Sequence, residues 1–222
     1  MEHIVVNGLT KTYCDGTGVR TVLDNVSFEV HKMERIAVIG ASGSGKSTLL
    51  NILSTIDDFD DGSLKLNGVE MGGINAKEKS RIRLEKMGFI FQKYCLIQTL
   101  SVYDNIILPV LAKGEKIDEV YIHGLIKRMG IEKLVNKYPY EMSGGEQQRT
   151  AIARAMAGRP EILFADEATG NLDKNNSETV MDMITECIDS YGMTFVYVTH
   201  DMELTKYSNR ILKIEDGGIR CE

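Results

Sequence analysis

A glycine-rich segment directly follows a short apolar run in the first quarter of the sequence. The run covers residues 36–39 (Ile-Ala-Val-Ile), and residues 40–48 read Gly-Ala-Ser-Gly-Ser-Gly-Lys-Ser-Thr. Glycines allow the backbone to curl so that several N–H groups point at one anion. A helix beginning near Lys46 would aim the positive end of its dipole at the same anion. This order of strand, turn and helix therefore predicts a phosphate-binding loop.

The same segment supplies side chains for a phosphate and its metal ion. The Lys46 ammonium can reach β- and γ-phosphates, and the Ser47 hydroxyl can hold Mg²⁺. The segment lacks the dinucleotide pattern G-x-G-x-x-G, and Ser44 stands where a G-x-S-x-G nucleophile elbow needs its last glycine. A strand–helix turn with chance glycines is the simpler alternative. The predicted nucleotide-binding residues here are Gly40, Ser42, Gly43, Ser44, Gly45, Lys46, Ser47 and Thr48.

Composition narrows the class of protein. The chain has 222 residues, of which 43% are hydrophobic, so it can bury a substantial core. A net charge of −6 argues against a general affinity for nucleic acid. The four cysteines are scattered without a C-x-x-C pair, so no zinc site or disulfide framework is indicated, and free thiols fit a reducing compartment. We expect a soluble chain without a signal peptide or membrane span, so that a membrane role would need a partner.

The order of apolar patterns predicts an α/β fold. Short strands are expected in the N-terminal region at residues 4–6, 26–30 and 63–68, and buried strands suited to a parallel sheet at 162–165 and 195–198. The last strand is expected at about 210–214. Between the sheet strands the pattern becomes helical, which predicts an inserted helical lobe at about 93–160. We therefore expect one domain, residues 1–222, with two lobes.

Two carboxylates follow the predicted strand at 162–165. Such residues lie at the strand ends where α/β sheets bind ligands. Asp166 is placed to help hold Mg²⁺, and Glu167 is a candidate to polarise an attacking water. A solvated acidic turn is the simpler interpretation.

A second candidate anion site begins at Ser143. Ser143 and Glu146 have the spacing of a capping box at a helix start, which is the simpler interpretation of the segment. Gly144 and Gly145, however, lower helix stability and expose backbone N–H groups that can bind a phosphate. Two phosphate-binding elements far apart in one chain suggest that two chains share each nucleotide.

Together these motifs resemble the ATP-binding cassette of ABC transporters, from Tyr13 to His200. The resemblance implies a P-loop NTPase fold with a RecA-like parallel-sheet core, an N-terminal antiparallel β region and an inserted α-helical lobe. It also implies ATP and Mg²⁺ as cofactors and ATP hydrolysis as the activity. Residues 40–48 match Walker A, Ser143 to Gln147 match the signature segment, and residues 170–173 match the D-loop.

The resemblance also assigns roles to single residues. Tyr13 would stack on adenine, Gln92 would link Mg²⁺ and the water to the helical lobe, and His200 would contact the γ-phosphate. Simpler alternatives are a surface aromatic for Tyr13, a polar strand end for Gln92 and helix caps for His200 and Asp173. The implied catalytic residues are Glu167, His200, Lys46 and Gln92; the implied metal ligands are Ser47, Gln92 and Asp166; the implied nucleotide contacts outside Walker A are Tyr13, Ser143, Gly144, Gly145 and Asp173.

Departures from the family pattern are modest. The signature reads Met-Ser-Gly-Gly-Glu where Leu-Ser-Gly-Gly-Gln is common, and Ala168 stands where a proline often follows the Asp-Glu pair. Neither change removes a catalytic group.

The resemblance further implies two partners and no nucleic acid. One is a second copy of the chain in an ATP-sandwich dimer. The other is a transmembrane permease, contacted through residues 93–97 and 99–107, which would place the chain in the cytoplasm at the inner face of the membrane. The simpler alternative is that Tyr94, Leu96 and Ile97 only pack the hinge of the helical lobe. The sequence of residues 165–173 resembles the corresponding segment of the macrolide and antimicrobial-peptide exporters and of the lipoprotein-releasing systems. This resemblance indicates export or detoxification of peptides or lipophilic compounds. A regulatory cassette in cell division and a non-transport ABC ATPase are the alternatives.

Overall fold

The computed structural model describes residues 2–16, 18–170 and 174–221. These residues divide into two compact units. The first unit holds the described residues up to Arg83 together with those from Thr194 onward, and the second is Leu84–Met193. The predicted helical lobe falls inside the second unit. That the whole chain is one domain stays a prediction.

The described part of the chain begins with three strands and ends with three strands, and the α-helices lie between these two groups. The strands are β1 Glu2–Asp15, β2 Gly18–His31, β3 Arg35–Gly40, β4 Asp61–Leu66, β5 Val69–Glu70, β6 Met87–Ile90, β7 Ile162–Asp166, β8 Thr194–Val198, β9 Arg210–Glu215 and β10 Gly218–Cys221. The helices are α1 Lys46–Leu53, α2 Ala76–Lys86, α3 Val102–Ala112, α4 Glu119–Arg128, α5 Gly144–Ala157 and α6 Lys174–Tyr191.

The N-terminal region of the first unit is an antiparallel sheet, as predicted. Its strand order is β2-β1-β4-β5, and β1 pairs antiparallel with both β2 and β4. Ile4 lies opposite Leu66 and Val6 opposite Leu64, and all four side chains are buried. Side chains alternate between the two faces of a strand, so this register places the apolar set of each strand on the same buried face.

A second group of strands in the first unit runs in the order β10-β9-β3-β8. Strand β3 is parallel to both β8 and β9, and Ile36, Ala37 and Val38 in it are almost completely buried. Continuous apolar runs of this kind are expected where both faces of a parallel strand are covered.

A strand is present at the predicted position of about 210–214, as β9, but the prediction that it is the last strand was wrong. Strand β10 follows β9 and pairs with it antiparallel. The turn between them contains Asp216 and Gly217, both with φ in the left-handed region, at 50° and 79°. These turn residues, which the sequence interpretation placed after the last strand, instead join a hairpin.

In the second unit, β6 and β7 form a parallel pair, and α3, α4 and α5 lie within the predicted helical lobe at about 93–160. Helix α5 packs against α3 and α4, and α6 buries an apolar stripe of Val180, Ile184, Cys187 and Ile188. Among residues 2–16, 18–170 and 174–221, no helix combines the length and apolarity needed to cross a bilayer. The mixed α/β fold class predicted from the sequence is confirmed.

Candidate nucleotide site

The predicted phosphate loop joins β3 to α1, with the helix beginning at Lys46. Two of its glycines cannot be replaced without strain. A Cβ on Gly40 would lie 2.6 Å from the Ile214 carbonyl oxygen, and one on Gly45 would lie 2.9 Å from Val22 Cγ1. Both residues also have positive φ, at 154° and 105°, which glycine adopts without a steric penalty. The loop is therefore held close to β2 and β9 in a conformation that only glycine fits.

The N-terminus of α1 suits an anion. No side chain caps it, and its first turn holds no acidic residue, so its first N–H groups lack a competing side-chain acceptor. Lys46 is only 8% exposed, and its ammonium donates to the carbonyls of Gly40 (3.0 Å) and Ala41 (2.8 Å). A buried cation folded over a glycine loop is the electrostatic complement of a polyphosphate.

A cleft of about 570 Å³ lies beside the loop within the first unit. Its wall includes Ser42 and Gly43 from the loop, Arg20 from β2 and Lys213 from β9. The Ser44 hydroxyl is buried and has no hydrogen-bond partner within the described part of the chain. An unsatisfied buried hydroxyl in a phosphate loop is consistent with a ligand that supplies the missing contact.

His200 lies at the same sheet edge as this loop. Val38 and Val198 are paired across the parallel strands β3 and β8, so residues 40 and 200 each come two positions later. The turn is fixed because the Thr199 N–H donates to the Val38 carbonyl at 3.2 Å. The side chain that caps the following helical turn is Asp201, which accepts from the Glu203 N–H at 2.9 Å. The N-cap of this helical turn is therefore Asp201, and His200 is an exposed residue just before it.

Tyr13 is 41% exposed, near the end of β1. Its hydroxyl donates to Asp57 Oδ2 at 2.6 Å. Burial and that hydrogen bond raise the pKa of the Tyr13 hydroxyl, whereas the neighbouring Thr48 hydroxyl lowers it. Asp57 was not singled out from the sequence, because nothing in the local pattern of its acidic segment marks one carboxylate over the others.

In the second unit, Gln92 and Glu167 are in contact. Ile90 pairs with Ala165 across β6 and β7, and the two polar residues each follow two positions later. Gln92 Nε2 donates to Glu167 Oε2 at 2.9 Å. Glu167 has a φ of 47°, a left-handed conformation that is strained for a side chain of this type, and its carbonyl accepts from the Gly170 N–H at 2.9 Å. Asp166 is the last residue of β7.

The signature segment forms the start of α5, as the capping-box spacing predicts. Ser143 is the N-cap, and its N–H donates to Glu146 Oε2 at 2.8 Å. A Cβ on Gly144 would lie 3.0 Å from the Tyr94 hydroxyl oxygen, so Tyr94 lies against this helix start. Met142, at the variant signature position, is buried. The helix start that the sequence interpretation assigned to a second phosphate is therefore contacted by a residue close to Gln92.

Two further residues of α5 were missed from the sequence. Gln148 is 1% exposed and donates through Nε2 to the carbonyl of Ala168, just after Glu167. Arg154 donates to the carbonyls of Tyr94 (2.7 Å) and Cys95 (2.6 Å), and burial lowers the pKa of its guanidinium. Both lie in the run after the signature glycines, where helical spacing was the only local signal. They connect α5 to the segments that carry Gln92 and Glu167.

The predicted site residues thus form two groups. Tyr13, residues 40–48 and His200 belong to the first unit, whereas Gln92, residues 143–145 and 166–167 belong to the second. The predicted contact Asp173 lies outside the described residues.

A family model described as ABC transporter matches residues 23–170, which is more than half of the chain. The chain belongs to the ABC transporter family. It is 44% identical over 200 residues to the lipoprotein-releasing system ATP-binding protein LolD of Aquifex aeolicus, covering 89% of each chain. It is 38% identical over 224 residues to the ABC transporter ATP-binding protein YbbA of Escherichia coli, covering 100% of this chain and 98% of YbbA. It is also 38% identical to the macrolide export ATP-binding/permease protein MacB of Mannheimia succiniciproducens, of which it spans 34%.

Solved structures of the ATP-binding cassette MJ0796 have the same fold. A dimeric post-hydrolysis state bound to ADP and phosphate superposes with a TM-score of 0.90 at 34% identity, covering 99% of this chain and 97% of MJ0796. A second dimeric structure of the same cassette gives a TM-score of 0.90 at 35% identity. The resemblance drawn from the motifs is therefore confirmed. The chain is an ATP-binding protein of this family, and ATP hydrolysis is the activity that membership implies.

Proposed function

We propose that this chain is the ATP-hydrolysing subunit that drives a separate transmembrane permease. The observation that carries the proposal is the hydrogen bond between Gln92 and Glu167 at the ends of two paired parallel strands. This hydrogen bond joins Glu167, which is assigned to water activation, to Gln92, which is assigned to linking the metal ion and the water to the helical lobe. A structural acidic turn alone would not require that partner.

The phosphate groups of ATP would bind the loop of the first unit. Lys46 and the N–H groups at the start of α1 would neutralise charge on the β- and γ-phosphates. His200, beyond the strand next to β3, would contact the γ-phosphate. Phosphoryl transfer depends mainly on placement and charge, and these groups supply both.

Mg²⁺ would be held by Ser47, Asp166 and Gln92. A hydroxyl, a carboxylate and an amide oxygen are the hard oxygen donors that this ion takes alongside phosphate oxygens and water. When bound, the ion supplies positive charge to the phosphate oxygens. Glu167 would orient a water molecule and accept its proton, and the Gln92 amide would hold the Glu167 carboxylate in one orientation.

Two copies would complete the site. Ser143, Gly144 and Gly145 of one copy would cover ATP bound to the loop of the other, with Asp173 and the segment around it alongside. The dimeric structures of MJ0796, one of them bound to ADP and phosphate, support this arrangement for a chain of the same fold. ATP binding would then stabilise the dimer, and hydrolysis would release it.

The permease would contact the segment after Gln92. Lys93, Cys95 and Ile97 are exposed, whereas Leu96 is buried and Tyr94 lies against α5. We therefore assign the contact to the exposed residues of 93–97 and of 99–107. Such a partner would place this chain at the cytoplasmic face of the membrane. The names of LolD and MacB concern lipoproteins and macrolides, which supports export of lipophilic compounds or peptides.

The test of hydrolysis compares Glu167→Gln with Glu161→Gln. Glu161 immediately precedes the first residue of β7, whereas Glu167 follows its last residue. Glu161 forms an ion pair with Lys86, so it controls for the same chemical change in the same unit. We expect Glu167→Gln to bind ATP and dimerise but to lose turnover by about 10²–10⁴-fold, whereas Glu161→Gln keeps it. Phosphate release, ATP titration and size-exclusion chromatography with and without ATP measure these properties. Near-normal turnover in Glu167→Gln would show that Glu167 does not activate the attacking water.

The permease role is tested by affinity purification from detergent-solubilised membranes. The expected partner is a polytopic membrane protein, and reconstitution of that pair in liposomes should give ATPase activity that peptides or lipophilic compounds stimulate. Recovery with ribosomes or DNA-repair proteins instead would favour a non-transport ABC ATPase. A membrane partner whose complex shows no stimulation by any cargo would favour the regulatory role.

A further inference from the structure

Asp57 is attached to the helix that carries the phosphate loop. It lies four residues beyond the end of α1, and the chain turns back there. The N–H groups of Ile56 and Asp57 both donate to the carbonyl of Asn51 in α1, at 2.8 and 3.1 Å. The position of the Asp57 carboxylate is therefore fixed relative to the helix.

Both oxygens of this carboxylate bind side chains of β1. Oδ2 accepts from the Tyr13 hydroxyl at 2.6 Å, and Oδ1 accepts from Lys11 Nζ at 3.1 Å. Lys11 and Tyr13 are two positions apart and so extend from the same face of the strand. Burial works to raise the pKa of Asp57, but the hydrogen bonds from Tyr13 and Lys11 outweigh it and hold the pKa below its usual value. The carboxylate is thus the charged acceptor for both side chains.

Lys11 also contacts the ring itself. Its ammonium lies 5.0 Å from the centroid of the Tyr13 ring and donates to the Asp58 carbonyl at 2.6 Å. Asp58 is in turn paired with Lys79 of α2. The Tyr13 ring is therefore held at its hydroxyl by a carboxylate and contacted by a cation, yet 41% of the residue stays exposed. A fixed aromatic ring with exposed surface is suited to stacking on a planar ligand.

We propose that Asp57, with Lys11, is a positioning residue that fixes the Tyr13 ring relative to α1 and thereby sets the distance between the nucleobase and the triphosphate. This inference rests on the stacking of adenine on Tyr13 that the family resemblance implies, as part of the proposed ATP site. Asp57 itself need not touch the nucleotide. Its effect is to reduce the number of ring orientations that ATP binding would otherwise have to restrict.

The readout that separates positioning from a merely structural role is the ratio of two dissociation constants. Inorganic triphosphate uses the loop alone, whereas ATP uses the loop and the ring. Calorimetric titration of each variant with Mg·ATP and with Mg·triphosphate gives the contribution of the nucleoside. A structural defect would weaken both ligands together, whereas loss of positioning weakens only ATP.

Four variants make the test. Tyr13→Ala should weaken ATP by about 10- to 100-fold and leave triphosphate unchanged, which is the result required by stacking itself. Tyr13→Phe keeps the ring but lacks the hydroxyl. This variant and Asp57→Asn should each lower the affinity for ATP by about three- to tenfold and leave the affinity for triphosphate unchanged. Asp61→Asn, the matched control with the same change at an exposed residue of β4, should bind both ligands normally. Combining Tyr13→Phe with Asp57→Asn should add no further loss.

The outcomes distinguish the two claims. If Tyr13→Ala leaves ATP binding intact, the stacking assignment fails. If Tyr13→Ala weakens ATP while Asp57→Asn and Tyr13→Phe do not, stacking stands and the positioning role is overturned. An equal loss of ATP and triphosphate in Asp57→Asn also overturns it. Should Asp57→Asn not fold, Tyr13→Phe alone decides, because it removes the hydrogen bond between Tyr13 and Asp57 and retains the carboxylate.

Discussion

Gln92 Nε2 lies 2.9 Å from Glu167 Oε2, although the two residues are 75 positions apart in the sequence. The pairing of Ile90 with Ala165 brings them together, since Gln92 comes two positions after Ile90 and Glu167 two positions after Ala165. A shift of one residue in this register would separate the two side chains. The contact joins the strand that precedes the helical segment to the strand that ends in Asp166.

We expect Gln92→Ala to lower ATP turnover by about 10- to 100-fold, because the Glu167 carboxylate loses a donor that orients it and small displacements of a catalytic group are costly. The affinity for ATP without metal should be unchanged, since Gln92 does not contact the phosphate loop in this assignment. Steady-state phosphate release and ATP titration in EDTA measure the two quantities. The matched control is Gln98→Ala, which truncates an exposed amide of the same segment. Equal turnover in the two variants would show that the contact has no part in catalysis.

Lys46 offers a second prediction, in the first unit. Its side chain is buried and its ammonium donates to two loop carbonyls, so Lys46→Met keeps the stem packed but removes the charge. We expect ATP affinity to fall by more than about tenfold and turnover by at least about 100-fold, because charge-assisted contacts to phosphate are lost. The thermal unfolding midpoint should change little. Lys65→Met, at an exposed position of β4, is the control, and similar ATP affinities for the two variants would contradict the assignment.

Local motifs could be predicted from the sequence, because each one is contiguous. The phosphate loop needs only the strand, the glycines and the Lys46–Ser47 pair, and the cap at Ser143 needs only Glu146 three residues later. Spacing alone gave both, and the structure shows β3, α1 and α5 beginning or ending where these residues indicate. The nucleotide contacts assigned to them stay predictions.

Contacts between distant segments could not be predicted in the same way. Asp57 binds Tyr13 only because the end of α1 returns to β1, and its acidic neighbours have equivalent local sequence. Helix α2 was also missed, because none of its residues is buried and it therefore shows no apolar stripe. Strand register, contacts between distant segments and fully exposed helices produce little apolar periodicity. A single sequence therefore does not reveal them.

A buried amide shapes the segment assigned to the permease. Asn105 of α3 is 0% exposed. Its Nδ2 donates to the carbonyls of Ile97, Leu100 and Ser101 at 3.0 to 3.1 Å, and its Oδ1 accepts from the Ile97 N–H at 2.8 Å. One side chain therefore bonds four backbone groups in the turn that precedes α3.

We expect Asn105→Ala to lower the free energy of unfolding by about 2–4 kcal/mol, because a fully buried side chain loses four hydrogen bonds to the backbone at once. Urea denaturation followed by circular dichroism measures this loss. Gln98→Ala, which removes one long contact of 3.3 Å to the Leu96 carbonyl, should cost less than about 0.5 kcal/mol. A loss in Asn105→Ala as small as in the control would show that water replaces these hydrogen bonds.

The start of α5 gives a pH-dependent prediction. The hydrogen bonds from the Ser143 N–H and hydroxyl hold the pKa of Glu146 below its ordinary value of 4.5, so the folded protein favours the charged carboxylate. A depressed folded pKa contributes stability that is fully present above the unfolded pKa and is lost as pH falls through the folded one. Glu146→Gln keeps an acceptor but cannot ionise. Wild type should therefore be more stable than Glu146→Gln at neutral pH, and the difference should shrink as the pH falls below about 4.5. Urea unfolding of both proteins across this range measures it. A difference that stays constant down to the lowest pH would mean that the charge of Glu146 does not stabilise this helix start.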